Sequence, residues 1–373
     1  MRILYVTTIS LTMNTFFKPH VEMLVNEGNI VDIACNCNGL ELDSFYQELG
    51  CEEFQIDFSR SPLSGKNINA YKQLKHVVEN GNYDIVHCHT PNASVITRLV
   101  CRKLRKKNGL KVFYTAHGFH FYKGAPKLNW LVYYPIEKYC SRFTDKLITI
   151  NGEDYERAKK KFKAKEIHYV PGVGIDVKKF ENIKVDRYAK RREIGVPEDA
   201  FLLFSVGELN ENKNHQIIIK AMAELNNANV HYAIAGDGVK KEYLLDLAKR
   251  LGISDRVHLL GYRTDVAELD HVADVFCFPS LREGLGLAAV EAMACGVPVV
   301  AADNRGTRSF MADGQNGYVC KSDDTFGFVN VLCKLVADPV LKNEMSDIGR
   351  IRAKDYLIEN VLERMKGVYQ TSC

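Results

Sequence analysis

The sequence predicts an α/β protein built from two Rossmann-like, doubly wound parallel-sheet domains facing each other across a cleft. Three observations carry that expectation. Short apolar, β-rich runs alternate with amphipathic helical patterns along the chain, the rhythm of parallel sheets covered by helices. The rhythm pauses at Pro171–Gly174, where a proline and two glycines fall close together, and then restarts. The 373 residues, 46% hydrophobic and 26% charged, match two globular domains at roughly 100–200 residues each.

In the first series, RILYVTT opens as a strand, and an amphipathic stretch from Phe16 to Asn26 stops at Gly28. IVDIAC, DIVHCH, KVFYTAH and DKLITI are the next strands, with helical patterns that include Asn92–Lys107 and Leu128–Arg142. The second series has strands at FLLFSVG, VHYAIAG, RVHLLG, DVFCFP and VPVVAA, after a charged, weakly periodic stretch over 177–200. Tyr356–Tyr369 reads as a last helix that packs back on the first domain. The expected domains are therefore 1–172, completed by 356–373, and 173–355. Ligands in such sheets bind at the carboxyl ends of the strands, so the two domains would share one site.

Composition excludes several classes. The eleven cysteines show no C-x-x-C spacing, and Cys88 between His87 and His89 lacks the second ligand cluster that zinc sites use. Scattered free thiols fit the reducing cytoplasm. Residues 3–17 are uncharged, but Thr7, Thr8, Ser10, Thr12, Asn14 and Thr15 interrupt the apolar run, so no signal peptide is expected. No uncharged run reaches the ~18 residues of a membrane span. Charge is uneven: residues 1–172 carry 24 Lys+Arg against 17 Asp+Glu. Arg98, Arg102, Lys103, Arg105, Lys106 and Lys107 make one basic patch, and Lys159, Lys160, Lys161, Lys163 and Lys165 another. These are either solvated helix faces or a surface toward an anionic membrane.

The chemistry concentrates in PSLREGLGLAAVEAMACGVPVV. A strand ending at Pro279 runs into a glycine-rich turn, and a helix begins near Gly286. Gly284 and Gly286 let a ligand approach the backbone, and a helix N-terminus suits a diphosphate. Glu283 precedes the helix and Glu291 lies inside it; each carboxylate can accept hydrogen bonds from paired hydroxyls. Two surface glutamates on a helix would be the plain alternative, but that leaves the glycines unexplained.

The pattern E-G-x-G-x-x-x-x-E followed by AMACGVPVV resembles the retaining glycosyltransferase family 4, with its two-domain GT-B fold. HCHTP, TAHG, VPGVGID, SVGELNENKNH, AIAGDG and LLGY extend the resemblance over nearly the whole chain. The resemblance implies that Glu283 holds donor-sugar hydroxyls. It implies that Gly284, Leu285, Gly286 and Leu287 offer backbone N–H groups to sugar and diphosphate, and that Glu291 holds the ribose. Gly207 joins this donor set. Lys213 would neutralise the departing diphosphate, and His117 would contact the donor sugar, with His120 close by. His89 is either near the cleft or structural. The chain departs from the family at Glu208, where many members carry arginine; either Glu208 points away or Arg263, Lys240 or Arg282 substitutes. The first loop, TTISLTMNTFF, lacks the family's paired glycines, yet its hydroxyls and Asn14 remain able to bind a polar acceptor.

No D-x-D sequence is present, so transfer is expected to need no metal and no cofactor beyond the nucleotide-sugar donor. The expected function is a retaining hexosyl or N-acetylhexosaminyl transfer from a nucleotide sugar, UDP-linked, to a glycan hydroxyl. The basic first domain and the aromatic NWLVYYPIEKYCSRF suggest a lipid-linked acceptor in capsule, exopolysaccharide or lipopolysaccharide assembly. That places the protein in the cytoplasm, with peripheral contact to the inner face of the membrane. Trp130, Tyr133 and Tyr134 can equally be core residues. The rivals are a UDP-sugar 2-epimerase of the same fold and a non-catalytic nucleotide-sugar-binding subunit. A dinucleotide dehydrogenase is disfavoured, because AIAGDG lacks the third glycine of G-x-G-x-x-G.

Overall fold

The computed structural model describes residues 1–61, 64–176, 180 and 183–370, without the side chains of residues 107 and 108. Lys107 of the first basic patch, parts of the 177–200 stretch and the end of the 356–373 segment therefore lie outside the described residues. The chain forms two compact units. Unit 1 is residues 1–174 with the closing segment from Ile358, and unit 2 is Ile175–Leu357.

In unit 1, β1 (Arg2–Ile9), β2 (Ile30–Asn36), β3 (Glu53–Gln55), β4 (Ile85–His89), β5 (Lys111–Ala116), β6 (Lys146–Thr149) and β7 (Glu166–Tyr169) form a seven-stranded sheet. Its order is β3-β2-β1-β4-β5-β6-β7, and every neighbouring pair is parallel. In unit 2, β8 (Phe201–Val206), β9 (Val230–Ala235), β10 (Val257–Gly261), β11 (Val275–Phe278), β12 (Val299–Ala302) and β13 (Gly317–Cys320) form a six-stranded parallel sheet, ordered β10-β9-β8-β11-β12-β13. Buried runs such as Ile3–Val6 and Leu202–Phe204 show why near-continuous apolar segments marked these strands: parallel sheets are covered on both faces. The strand order reverses between β1 and β4, and again between β8 and β11, making a switch point in each sheet.

The short strands β3, β7 and β13 have no counterpart among the strands the sequence pattern marks. Two corrections concern the N-terminal region. The stretch after β1 is no open loop. Ser10–Phe16 is a helix, Phe17 breaks it, and Lys18–Asn26 is a second helix with Pro19 in its first turn. Five polar side chains of TTISLTMNTFF, those of Thr7, Thr8, Ser10, Asn14 and Thr15, already have partners. Ser10 Oγ donates to Leu40 O, Asn14 Nδ2 to Glu41 O, and Thr15 Oγ1 to Leu11 O. Thr7 Oγ1 donates to Ile9 O, and Thr8 Oγ1 pairs with Thr90 Oγ1. These groups hold intramolecular partners, because a helix beside a buried strand end must satisfy its own polar atoms.

Arg98 is the second correction. It is fully buried in the helix Pro91–Asn108 rather than on a basic surface. Nη1 donates to Glu137 Oε2 at 2.8 Å, Nε to Ser94 O at 3.0 Å, and the guanidinium lies 4.2 Å from the Tyr114 ring centroid. Arg105 likewise pairs with Asp145. Among the described residues, the exposed charge of this patch is Arg102, Lys103 and Lys106.

The helix Ile358–Gln370 closes unit 1. Tyr369 is buried, Lys146 Nζ donates to Val368 O at 2.6 Å, and Lys366 pairs with Glu27. Its start is later than the sequence pattern implied, because Leu357 is extended after a short 3-10 turn at Lys354–Tyr356.

Removing one member of the Arg98–Glu137 pair leaves a buried charge unpaired. Arg98→Met is expected to destabilise the protein by about 3–5 kcal/mol in urea unfolding, with Arg98→Met/Glu137→Met recovering most of the loss. Equal stability of the single variant and the parent contradicts this reading.

Candidate active site

Unit 2 builds its site at the switch point. The loops that leave β8 and β11 rise side by side because those strands are hydrogen-bonded neighbours. After β8, Gly207 takes a positive φ of 155°, and the Lys213 side chain folds over it; a Cβ on Gly207 would sit 3.0 Å from Lys213 Cε. Gly236, after β9, packs directly on that turn: a Cβ there would fall 1.9 Å from Gly207 O. One on Gly238 would fall 2.6 Å from Leu209 O. The glycines of AIAGDG thus serve backbone packing beside the site.

The segment 210–215 is stitched to the β11 loop. Asn212 Nδ2 donates to Arg282 O, Leu281 N donates to Asn212 O, and Asn214, at φ 52°, donates to Pro279 O and Ser322 O. This clamp brings Lys213 Nζ to 2.7 Å from Glu283 Oε1 and 5.5 Å from the Phe278 ring. The two side chains are 23% and 18% exposed, a half-buried ion pair open to a ligand.

Past Glu283, Leu285 is buried, and Gly286 takes a φ of 105° just before the helix Leu287–Ala294. A Cβ on Gly286 would lie 2.8 Å from the Phe278 ring, so only glycine fits that turn. Beneath it, the loop after β12 packs equally close. A Cβ on Gly306 would fall 2.6 Å from Leu285 O and 2.9 Å from Glu283 Cβ. Asn304 caps this loop, accepting from Gly306 N and Thr307 N. Glu291 lies on the second turn of the helix and is half-buried. Behind it the carboxyl of Asp270 is fully buried and held well above the usual carboxylate range, first by burial and then by the charge of Glu291.

Glu208 is exposed. Of the three cations offered in place of the missing arginine, Arg263 pairs with Asp265 and Glu193, Lys240 pairs with Glu211, and Arg282 is exposed. A further cation, which the sequence pattern does not mark, stands beside Glu283. Arg305, 5% exposed, donates from Nε to Glu283 O at 3.3 Å. Its only sequence signal is its place just after the strand VPVVAA, where switch-point sheets put functional groups.

Unit 1 gathers histidines at the carboxyl ends of β4 and β5. His87 and His89 share one strand face, while Cys88 points the other way, donating to Phe113 O in the core. That alternation takes the thiol away from any metal site the His-Cys-His run suggested; among the described residues no three His, Cys, Asp or Glu are placed to hold a metal ion. His87 bonds Tyr369 Oη at 2.5 Å and Thr115 Oγ1 at 2.8 Å. His89 Nδ1 lies 3.2 Å from His117 Nε2. Thr90, which follows, adopts a φ of 65°, unusual for a β-branched residue. His117 is pushed down to about 4 by burial and by His20, and His87 and His89 lie well below the ordinary histidine value for the same main reason. His120 stacks on Tyr133 at 4.7 Å.

Comparison with known proteins gives the family and the fold. Residues 186–352 match the family model described as glycosyl transferases group 1, and residues 2–151 match glycosyl transferase 4-like. The chain is 38% identical to "Putative glycosyltransferase EpsD" of Bacillus subtilis (strain 168), over 99% of this chain and 96% of that protein. It is 26% identical to the Escherichia coli UDP-Gal:alpha-D-GlcNAc-diphosphoundecaprenol alpha-1,3-galactosyltransferase, covering 93% and 90% of the two chains. The crystal structure of Anabaena Alr3699/HepE in complex with UDP and glucose superposes with a TM-score of 0.79 at 18% identity, over the whole of both chains, and supports the same fold.

The neutral histidines make an acid-stability prediction. Unfolded, each takes up a proton near pH 6.5; folded, each resists protonation to lower pH, so the unfolded state binds more protons below about pH 6.5. Their contribution is fully present above that value and is lost as pH falls toward about 4. The urea midpoint is expected to drop between about pH 7 and 5, and His117→Gln should flatten part of the slope. A midpoint independent of pH in that range counts against neutral burial.

Proposed function

The chain belongs to the group 1 glycosyl transferases, and on that premise we propose that it is a retaining, metal-independent hexosyl or N-acetylhexosaminyl transferase using a UDP-sugar. The observation that carries the reading is the Lys213–Glu283 pair, held 2.7 Å apart beside a glycine turn and a helix N-terminus. Before a donor binds, the two groups neutralise each other. With a donor in place, Glu283 accepts hydrogen bonds from sugar hydroxyls and Lys213 turns its charge to the diphosphate. The glycosidic C1–O bond breaks with its electron pair going to the diphosphate, whose growing charge Lys213, the amides of Gly284–Leu287 and nearby Arg305 stabilise. The acceptor oxygen bonds to C1 on the face the diphosphate leaves, and its proton passes to the departing phosphate oxygen. Glu291 takes the ribose. No enzymic nucleophile is invoked.

We assign the donor to unit 2 and the acceptor to unit 1, and take the acceptor to be a lipid-linked glycan. The E. coli relative acts on a diphosphoundecaprenol-linked sugar, by its name. Unit 1 adds a surface suited to such an acceptor. In the helix Lys127–Cys140, Trp130, Tyr133 and Tyr134 pack against the core. Leu128, Leu131, Val132, Ile136 and Tyr139 are instead 67%, 74%, 41%, 41% and 46% exposed, a single stripe at helical spacing flanked by exposed Lys127, Lys138 and Arg142. No described helix is long and apolar enough to cross a membrane. An apolar stripe edged with cations fits the surface of an anionic bilayer.

Purified protein screened against UDP-glucose, UDP-galactose and UDP-N-acetylglucosamine is expected to hydrolyse one of them slowly and to keep that activity in EDTA. Lys213→Ala should lower kcat roughly 10²–10³-fold, the scale of losing one charge-stabilising group, and Glu283→Ala should abolish turnover. Binding without turnover of any donor would favour the non-catalytic reading. Interconversion of UDP-N-acetylglucosamine at C2 would favour the epimerase.

Flotation with anionic vesicles tests the membrane surface. Binding is expected at low salt, weakened by Leu128→Glu/Leu131→Glu and by high salt, with donor hydrolysis unchanged. Each flanking lysine should contribute about 1 kcal/mol. No binding at low salt rules out this surface.

A further inference from the structure

We infer that His89 is a positioning residue that fixes the tautomer of His117, so that His117 meets its substrate as an Nδ1–H donor and not as a base. The inference rests on the proposed function for its consequence, but on the buried hydrogen-bond network of unit 1 for its substance.

His89 and His117 are joined by one hydrogen bond, His89 Nδ1 to His117 Nε2 at 3.2 Å. With both rings neutral, one nitrogen carries the proton and the other accepts it. The second nitrogen of His89 decides which. His89 is 2% exposed, and its Nε2 has no partner. The ring lies between Phe17, 4.3 Å from it, and Tyr5, stacked at 5.1 Å. If His117 donated, His89 would carry its own proton on Nε2, an orphaned N–H in an aromatic pocket. If His89 donates from Nδ1, Nε2 is a bare lone pair. Buried acceptors lacking a partner are tolerated better than buried donors lacking one. His89 therefore donates, and His117 is left with its proton on Nδ1.

The neighbouring bonds run in a consistent direction. Tyr369 Oη donates to Tyr5 Oη at 3.2 Å, so the Tyr369 oxygen accepts from His87 Nδ1, and His87 Nε2 accepts from the Thr115 hydroxyl. His87 is thereby neutral with its proton on Nδ1. Its ring lies 4.2 Å from that of His89. The fourth histidine, His20, donates from Nε2 to Val173 O at 2.8 Å. No member of this group needs a positive charge to complete its bonds, which agrees with the lowered proton affinity of His89 and His117. A donor locked in one tautomer suits a hydroxyl or ring oxygen of a sugar, whose lone pairs it can meet without a proton changing hands.

Long-range proton–nitrogen NMR of the full chain labelled with 15N-histidine reads the tautomers directly. The His117 signals, assigned by their loss in His117→Gln, are expected to show a protonated Nδ1 and a bare Nε2 at neutral pH. A proton on Nε2 overturns the inference, whether or not any nucleotide sugar is turned over. Activity supplies the second arm, with whichever of the three UDP-sugars is hydrolysed. His89→Asn keeps an N–H where Nδ1 stood and should stay within about threefold of the parent. His89→Leu removes it and should lower kcat about tenfold, the scale of one buried hydrogen bond, with donor KM little changed. Equal activity in the Leu variant, or equal loss in both, refutes a positioning role; if neither variant folds, the spectrum of the parent decides.

Discussion

The candidate active site depends on one pairing, the parallel contact of β8 with β11. Chain order would put these strands three apart, yet they are hydrogen-bonded neighbours because the sheet is extended first in one direction and then in the other. Their connections diverge and their carboxyl ends stay side by side, which is the general origin of binding crevices in open α/β sheets. Lys213 and Glu283, seventy residues apart in sequence, meet only there. Asn212 and Asn214 then tie the two loops, and Asn210 accepts from Lys213 N within its own segment, so the cation and the carboxylate are held by these bonds and not by their own attraction alone. An ion pair that solvent still reaches contributes little to stability. Its value is that both charges stand ready for a ligand carrying hydroxyls on one side and phosphates on the other.

Glycine at this site answers to geometry. Gly286 has a conformation and a neighbour, Phe278, that leave no room for a side chain, and Gly236 sits against the carbonyl of Gly207. Close backbone packing thus joins the loops that follow β8, β9, β11 and β12. Arg305 reaches the Glu283 carbonyl from the loop after β12, so positive charge comes to the site from two loops even though Glu208 occupies the position where an arginine was expected. Because Glu208 is exposed, its charge is screened by water.

Unit 1 follows a different logic, in which burial sets the charge state. Four histidines, two tyrosines and a phenylalanine pack at the ends of β4 and β5, where an imidazolium would have to be desolvated. The helix Ile358–Gln370 contributes Tyr369 to this group from the far end of the chain. The same principle governs Arg98, which could be buried only because Glu137, Ser94 and Tyr114 surround its guanidinium.

The sequence by itself determined the parallel α/β architecture, the restart near Pro171–Gly174, and the local signature of the glycine turn. These are written in short-range patterns: apolar runs such as FLLFSV, and E-G-x-G ahead of a helix. It did not reveal β3, β7 and β13, which are three or four residues long and lie at sheet edges or near them, too short for periodicity to register. Nor could it tell that the TTISLTMNTFF stretch is largely helical, that the exposed stripe of Lys127–Cys140 is mostly aliphatic while Trp130, Tyr133 and Tyr134 turn inward, or that Arg98 is a core residue. Each of those depends on which distant segment covers which face. Only the tertiary structure decided the partners: Lys213 with Glu283, Arg305 with the Glu283 carbonyl, His89 with His117, Tyr369 with His87. The physical reason is the same for all four. Composition and spacing say what a side chain can do, but hydrogen bonds act over about 3 Å, and which groups come that close is set by the order of strands in a sheet.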